Sequence, residues 1–286
     1  MTLYEEVRAA LRETDFRPKK SLGQNFLIHE RVIDTILRLL DLRQDDAVVE
    51  IGPGLGFLTR RLLERAAQVY AVEVDRSLVE RLRRSGWAAN PKLHLIEADI
   101  LEAPLGAILP RSKFKLAANL PYSISTPVLF KIFEWREYFS TLVLMVQKEV
   151  ADRIAGAPGG KDYGALSIWC QMHGRVVEKV SVSPEAFYPR PKVRSTVLKV
   201  ELFAEPRVAA DELTALRALV RAAFGQRRKT LGNALRGCFK GKRGKGEDFL
   251  RAQNIDPQRR GETLSVDEFI KLARAAQNQS LLATDD

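Results

Sequence analysis

The run Asn119-Leu120-Pro121-Tyr122 brings together a carboxamide, a restrained peptide carbonyl and an aromatic ring. That combination suits chemistry on a base amine. The exocyclic nitrogen of adenine is a poor nucleophile because its lone pair is delocalised into the ring. Two acceptors aimed at its hydrogens pull it towards tetrahedral geometry and localise that pair. The Asn119 side-chain oxygen and the Leu120 carbonyl are the candidates, with Pro121 stiffening the turn and holding Leu120 extended. Tyr122 is placed to stack on an unpaired or flipped base, an interaction of about 1–3 kcal/mol. A methyl transfer to such a nitrogen needs no metal and no strong general base, because the methylated amine is acidic while cationic. Positioning and electrostatics carry it. The plainer alternative is a helix-entry turn with a buried tyrosine.

A methyl donor needs its own pocket. Glu50-Ile51-Gly52-Pro53-Gly54-Leu55-Gly56 follows an apolar run and opens a helical pattern, so Gly52 and Gly54 let the backbone turn tightly and approach a ligand. A dinucleotide fingerprint places its third glycine one position later, where Phe57 stands, and Pro53 lacks an N–H for a pyrophosphate. The spacing suits a phosphate-free ligand such as S-adenosylmethionine and disfavours an NAD-dependent oxidoreductase; a tight strand–helix connection without a ligand stays open. Glu73, at the end of the next apolar run, suits the two ribose hydroxyls of an adenosine moiety, while Asp75 suits the cap of the following helix. Asp99 is either an acceptor for the adenine amine of the cofactor or an ordinary turn residue.

These positions fall at the ends of short apolar runs that alternate with helical patterns. Ala47–Ile51, 68–74, Leu93–Glu97, 115–119 and 141–147 read as strands, with helices at 57–65 and 77–84. The alternation predicts a mostly parallel sheet with helices on both faces. Two further strands, 176–182 and Ser195–Leu202, are joined by a loop too short for a crossover helix, which predicts an antiparallel pair at one end of the sheet. From about residue 207 the strand signals stop, so residues 1–206 read as one α/β domain and 207–286 as a small all-helical one.

The chain of 286 residues carries a formal net charge of +10, a bias towards polyanions. Ten Lys or Arg residues and no Asp or Glu lie between Arg217 and Lys245, which favours phosphate contact. Arg221, Arg227, Arg228 and Lys229 are the candidates there, and Lys19 and Lys20, with Arg17, near the catalytic mouth; a solvated face is the plainer reading of any charge run. The two cysteines and three histidines lack metal-ligand spacing, and no apolar stretch reaches the length of a membrane span. A cytoplasmic, metal-free, monomeric protein that meets no membrane is the expectation.

Lys20-Ser21-Leu22-Gly23-Gln24-Asn25-Phe26-Leu27, Glu50 to Gly56, Asn119 to Tyr122 and Phe187-Tyr188-Pro189-Arg190-Pro191-Lys192-Val193-Arg194-Ser195 together resemble the signatures of the bacterial small-subunit ribosomal RNA adenine dimethyltransferases (KsgA/RsmA). The resemblance covers nearly the whole chain. It implies a Rossmann-like class I methyltransferase sheet with one antiparallel strand, S-adenosylmethionine as cofactor, and dimethylation of two adjacent adenosines near the 3′ end of 16S ribosomal RNA during small-subunit assembly. It also implies that Asn25 and the Leu27 backbone line the cofactor pocket with Gly52, Glu73, Asp99 and Asn119, and that Phe187 helps hold the target base. Read from its Pro-rich loop alone, Phe187 is a base contact first and a core plug a close second. Gly56 departs mildly from the family pattern, and no consequence is expected from it. The alternatives are a related large-subunit adenine methyltransferase of the antibiotic-resistance type, a DNA adenine methyltransferase, and a non-catalytic RNA-binding factor on the same scaffold.

Overall fold

The computed structural model describes residues 3–13, 18–19, 22–110, 112–226, 228–239 and 245–278. In chain order the elements are α1 (Leu3–Glu13), β1 (Phe26–Leu27), α2 (Glu30–Leu40), β2 (Ala47–Ile51), α3 (Phe57–Leu63), β3 (Gln68–Glu73), α4 (Arg76–Arg83), β4 (Leu93–Glu97), α5 (Leu105–Ile108), β5 (Phe114–Asn119), α6 (Ser125–Glu134) and β6 (Phe139–Gln147). There follow α7 (Lys148–Ile154), α8 (Ala165–His173), β7 (Gly174–Val182), β8 (Phe187–Tyr188), β9 (Ser195–Leu202), α9 (Glu212–Gly225), α10 (Leu231–Ala234), α11 (Lys245–Ala252) and α12 (Val266–Asn278). The chain divides into two compact units, Met1–Ala151 with Arg175–Leu202, and Asp152–Gly174 with Phe203–Asp286.

The first unit is built on a seven-stranded sheet of order β4-β3-β2-β5-β6-β9-β7. The pairs β3–β4, β2–β3, β2–β5 and β5–β6 are parallel, and β9 runs antiparallel to β6. Val48, Val49, Val69, Leu116, Leu142 and Leu144 are buried, as parallel strands covered on both faces require. Helix α2 buries Ile33, Ile36, Leu37 and Leu40 at helical spacing against this core. The β7 strand at the sheet edge instead alternates exposed and half-buried positions.

Chain connections run outward in both directions from β2 and β5, so the strand order reverses between them. Ligands of open α/β sheets sit beyond the carboxyl ends at such a switch point. The register brings the candidates together there. Ile51 lies opposite both Val72 and Ala118, which sets Gly52, Glu73 and Asn119 one step further along three adjacent strands.

The second unit corrects the expected boundary at residue 206. Residues 152–174 belong with the C-terminal helices, because α8 turns Ile168, Trp169, Cys170 and Met172 inward in that unit. Tyr163 meets the Phe224 ring edge-on at 6.1 Å, Phe224 meets Phe269 at 6.0 Å, and the Arg217 guanidinium lies 5.2 Å over Trp169. Between α9 and α11 the helical structure is short, α10 followed by a 3₁₀ turn at Leu235–Cys238.

Candidate active site

A cleft opens at the carboxyl ends of β2, β3 and β5, and its walls include Asn25, Leu27, Gly52, Gly54, Glu73, Asp99 and Asn119. Leu120, Pro121 and Tyr122 form the adjoining wall. The glycine turn has positive φ at Gly52 (71°), Gly54 (58°) and Gly56 (82°). At Gly52 the nearest atom to an added Cβ would be the Asn119 carbonyl oxygen at 4.0 Å, so this position faces open space in the cleft.

Gly56 matters more than its sequence context suggests. An added Cβ would lie 2.6 Å from Trp87 Cζ2 and 2.7 Å from Leu82 Cδ2. Together with its left-handed backbone, this predicts that Gly56→Ala lowers stability by about 1–3 kcal/mol in chemical denaturation. An unchanged midpoint and slope would refute the contact.

Glu73 is buried, and its two oxygens accept the backbone N–H groups of Gly54 (3.1 Å) and Asp75 (2.9 Å). Burial raises its pKa, and those bonds offset the rise only in part. Each oxygen keeps acceptor capacity for a hydroxyl in the cleft. Asp75 caps α4 by accepting from Ser77 N, as its position predicts. It also accepts Lys19 Nζ at 2.7 Å and Gln24 Nε2 at 2.8 Å. Burial pushes the Asp75 carboxyl up, but the bonds from Lys19, Ser77 and Gln24 outweigh it and hold the group below the usual carboxylate range. A buried carboxylate needs partners, and the Lys19 ammonium supplies one within the protein while its own side chain stays half exposed. Lys20 and Arg17 lie outside the described residues.

Lys19 and Gln24 thereby tie the N-terminal segment down over the glycine turn, where Phe26 packs with Val7, Leu55 and Leu78. The segment then delivers Asn25 to the end of β5. Asn119 Nδ2 donates to the Asn25 carbonyl oxygen at 3.1 Å, while Asn25 Nδ2 donates to the Gly23 carbonyl at 2.9 Å. A carbonyl only accepts, so the amide nitrogen of Asn119 is assigned to that side and Oδ1 remains for another donor. Asp99 Oδ1 caps its own turn through Leu101 N at 2.9 Å, so the turn role is real, and the residue stands in the cleft wall as well.

Tyr122 Oη is hydrogen-bonded to Ser195 Oγ at 2.6 Å. Burial raises the phenol pKa despite that bond, so the hydroxyl stays neutral and the ring is held at a fixed tilt. Ser195 opens β9 and is itself buried, which gives the late Pro-rich segment a role that its residue types do not reveal. Phe187 is corrected. It is 2% exposed within the core cluster around Val182, Ala186 and Val197 and is not among the cleft-lining residues, so the core-plug reading is the one observed. Its strand β8 pairs antiparallel with β1, Leu27 opposite Phe187 and Phe26 opposite Tyr188. Two-residue strands carry no periodic signal, and sequence reasoning missed this pair.

Glu50 was also missed. It is 2% exposed beneath the glycine turn, where burial raises its pKa to about 8, the Thr59 hydroxyl offsets a little, and the charge of Glu73 adds to the rise. Glu50 Oε2 and Thr59 Oγ1 are both buried, and neither has a hydrogen-bond partner among the described residues. In the second unit, Arg221, Lys229, Asn233 and Arg236 line a surface groove, and Arg228 is exposed beside it in sequence. Arg227 lies outside the described residues.

The family model for ribosomal RNA adenine dimethylase matches residues 15–278. The chain belongs to this family. Within it, the chain is 46% identical over 269 residues to ribosomal RNA small subunit methyltransferase A of Geobacter metallireducens, covering 93% of this chain and 98% of the relative. The protein of that name from Clostridium botulinum is 41% identical over 260 residues, 91% of this chain and 94% of the relative. Among solved structures, a dimethyladenosine transferase from Plasmodium falciparum superposes with TM-score 0.77 at 25% identity over 90% of this chain and 99% of that one. The 23S rRNA methyltransferase ErmE superposes with TM-score 0.67 at 27% identity over 88% and 99%. This adenine dimethylase fold is therefore a class I methyltransferase sheet, as the resemblance implies. No helix among the described residues is long and apolar enough to cross a membrane.

Proposed function

We propose that the protein transfers methyl groups from S-adenosylmethionine to the exocyclic amines of two adjacent adenosines near the 3′ end of 16S ribosomal RNA, as a cytoplasmic monomer acting in small-subunit biogenesis. The observation that carries this reading is the Asn119 amide, whose nitrogen is held by the Asn25 carbonyl so that its oxygen is left for a donor in the cleft. S-adenosylmethionine supplies a methyl group activated on a sulfonium. The cleft fits it: open space at Gly52, a buried Glu73 for the ribose hydroxyls, and Asp99 at the next strand end for the adenine amine.

Asn119 Oδ1 and the Leu120 carbonyl accept from the target amine and localise its lone pair. Tyr122, fixed through Ser195, offers its ring to the extruded base. Glu73, Asp99 and Asn119 would hold S-adenosylmethionine as it gives up its methyl group to that nitrogen and leaves as the thioether, and the displaced amine proton would pass to water. These groups act by placement and by acceptors set before the reaction begins.

Labelled-methyl transfer to undermethylated small subunits, with mapping of the modified bases, tests the reading. Label in dimethyladenosine at two neighbouring positions of 16S RNA is expected. Label confined to large-subunit RNA would favour the alternative that the likeness to ErmE keeps open. For the second unit we propose RNA docking through Arg221, Arg227, Arg228 and Lys229, by shape and backbone rather than base sequence. RNA affinity is then expected to fall steeply with salt, and Arg228→Ala and Lys229→Ala each to reduce the log–log slope by about one contact's worth, roughly 0.7–0.9. A flat salt response would contradict docking by this surface.

A further inference from the structure

Residues 188–194 bridge two parts of the cleft without lining it. The loop begins at Tyr188, paired across β1–β8 with Phe26, which is a cleft-lining residue. It ends at Ser195, whose hydroxyl holds Tyr122. Between these anchors the side chains face solvent: Tyr188 is 40% exposed and Val193 46%, and Pro189, Arg190, Lys192 and Arg194 are exposed as well. Strand alternation explains the ring's position, since burying Phe187 turns its neighbour outward.

The loop carries three cations and no acid. Arg190 pairs with Glu185 at 3.0 Å, both largely exposed, so water and phosphate compete readily for it. Arg194 donates to Ser181 Oγ at 3.1 Å, a neutral partner. An outward aromatic ring on a loop that carries three cations matches single-stranded nucleic acid, where bases stack and phosphates need positive partners.

Resting on the proposed function, we infer that loop 188–194 holds the nucleotide next to the target adenine, with Tyr188 stacking on its base and Arg190 and Lys192 meeting the adjoining phosphates. The loop then helps to decide which base of the strand enters the cleft. Its anchors tie that neighbour to the wall on which the target base stacks, so a strand bound there presents its bases in a set register to Asn119.

The test is a protein–RNA cycle on undermethylated RNA, using Tyr188→Ala, Tyr188→Phe and a target with an abasic site beside the methylated base. Tyr188→Ala is expected to raise KM for RNA by about tenfold, the effect of one lost stack, with kcat at saturating RNA and calorimetric affinity for S-adenosylmethionine unchanged. Tyr188→Phe should behave as wild type, because stacking uses the ring and not the hydroxyl. Wild type should lose the same factor on the abasic target, and Tyr188→Ala nothing further. Additive losses, or an unchanged KM in Tyr188→Ala, overturn the inference while leaving the methyltransferase reading intact. Absence of any transfer by the wild type overturns both.

Discussion

Asn119→Ala is expected to slow methyl transfer by about 100–1000-fold at saturating cofactor and RNA, the usual cost of losing one aimed polar group at a transition state. The variant loses the acceptor on Oδ1 and also the donor that reaches the Asn25 carbonyl at 3.1 Å. The second loss loosens the segment that lines the cofactor side of the cleft, so weaker cofactor binding should accompany the slower chemistry. Asn119→Asp separates the two effects. It keeps an acceptor but places a carboxylate against a carbonyl oxygen, and should recover part of the rate at most. Single-turnover kinetics with a calorimetric titration of S-adenosylmethionine measures both. Unchanged transfer in a folded Asn119→Ala variant would remove the catalytic assignment.

The second large effect is on stability and falls on Glu50. Its folded pKa of about 8 lies above the carboxylate's ordinary value of 4.5, so folding takes up a proton between those limits. The sign follows: wild-type stability falls as pH rises from about 4.5 to about 8 and levels off above, by up to ~1.4 kcal/mol per pH unit from this group. Glu50→Gln keeps the shape and removes the titration. Its stability advantage over wild type should therefore be small near pH 5 and grow through pH 8, as read by urea denaturation across that range. All other titrating groups are common to both proteins, so parallel curves would show that Glu50 ionises normally.

The sheet was legible because buried parallel strands are short apolar runs closed by chemistry-bearing residues. Ala47–Ile51, Leu93–Glu97 and Ser195–Leu202 have the bounds that their residue patterns predict. Glu73 and Asn119 were legible for the same reason, since a residue ending such a strand stands at the mouth of the site. What escaped depends on contacts distant in sequence. Nothing local joins Lys19 and Gln24 to Asp75, or Ser195 to Tyr122. Helix α8 reads as apolar in any context, and only its partners in the second unit assign it there. Phe187 and Tyr188 are both aromatic in one loop, and their opposite burial is set by the two-residue pairing with β1. Gly56 is constrained by Trp87, which lies well beyond the local turn that its neighbours describe.

The most direct measurement is a structure of the protein with a non-transferring S-adenosylmethionine analogue and an oligonucleotide spanning the target adenines. Asn119 Oδ1 and the Leu120 carbonyl should lie about 2.7–3.2 Å from the acceptor amine, with Asn119 Nδ2 still on the Asn25 carbonyl. Oxygens turned away from that amine, or another side chain between it and the donor methyl, would contradict the assignment.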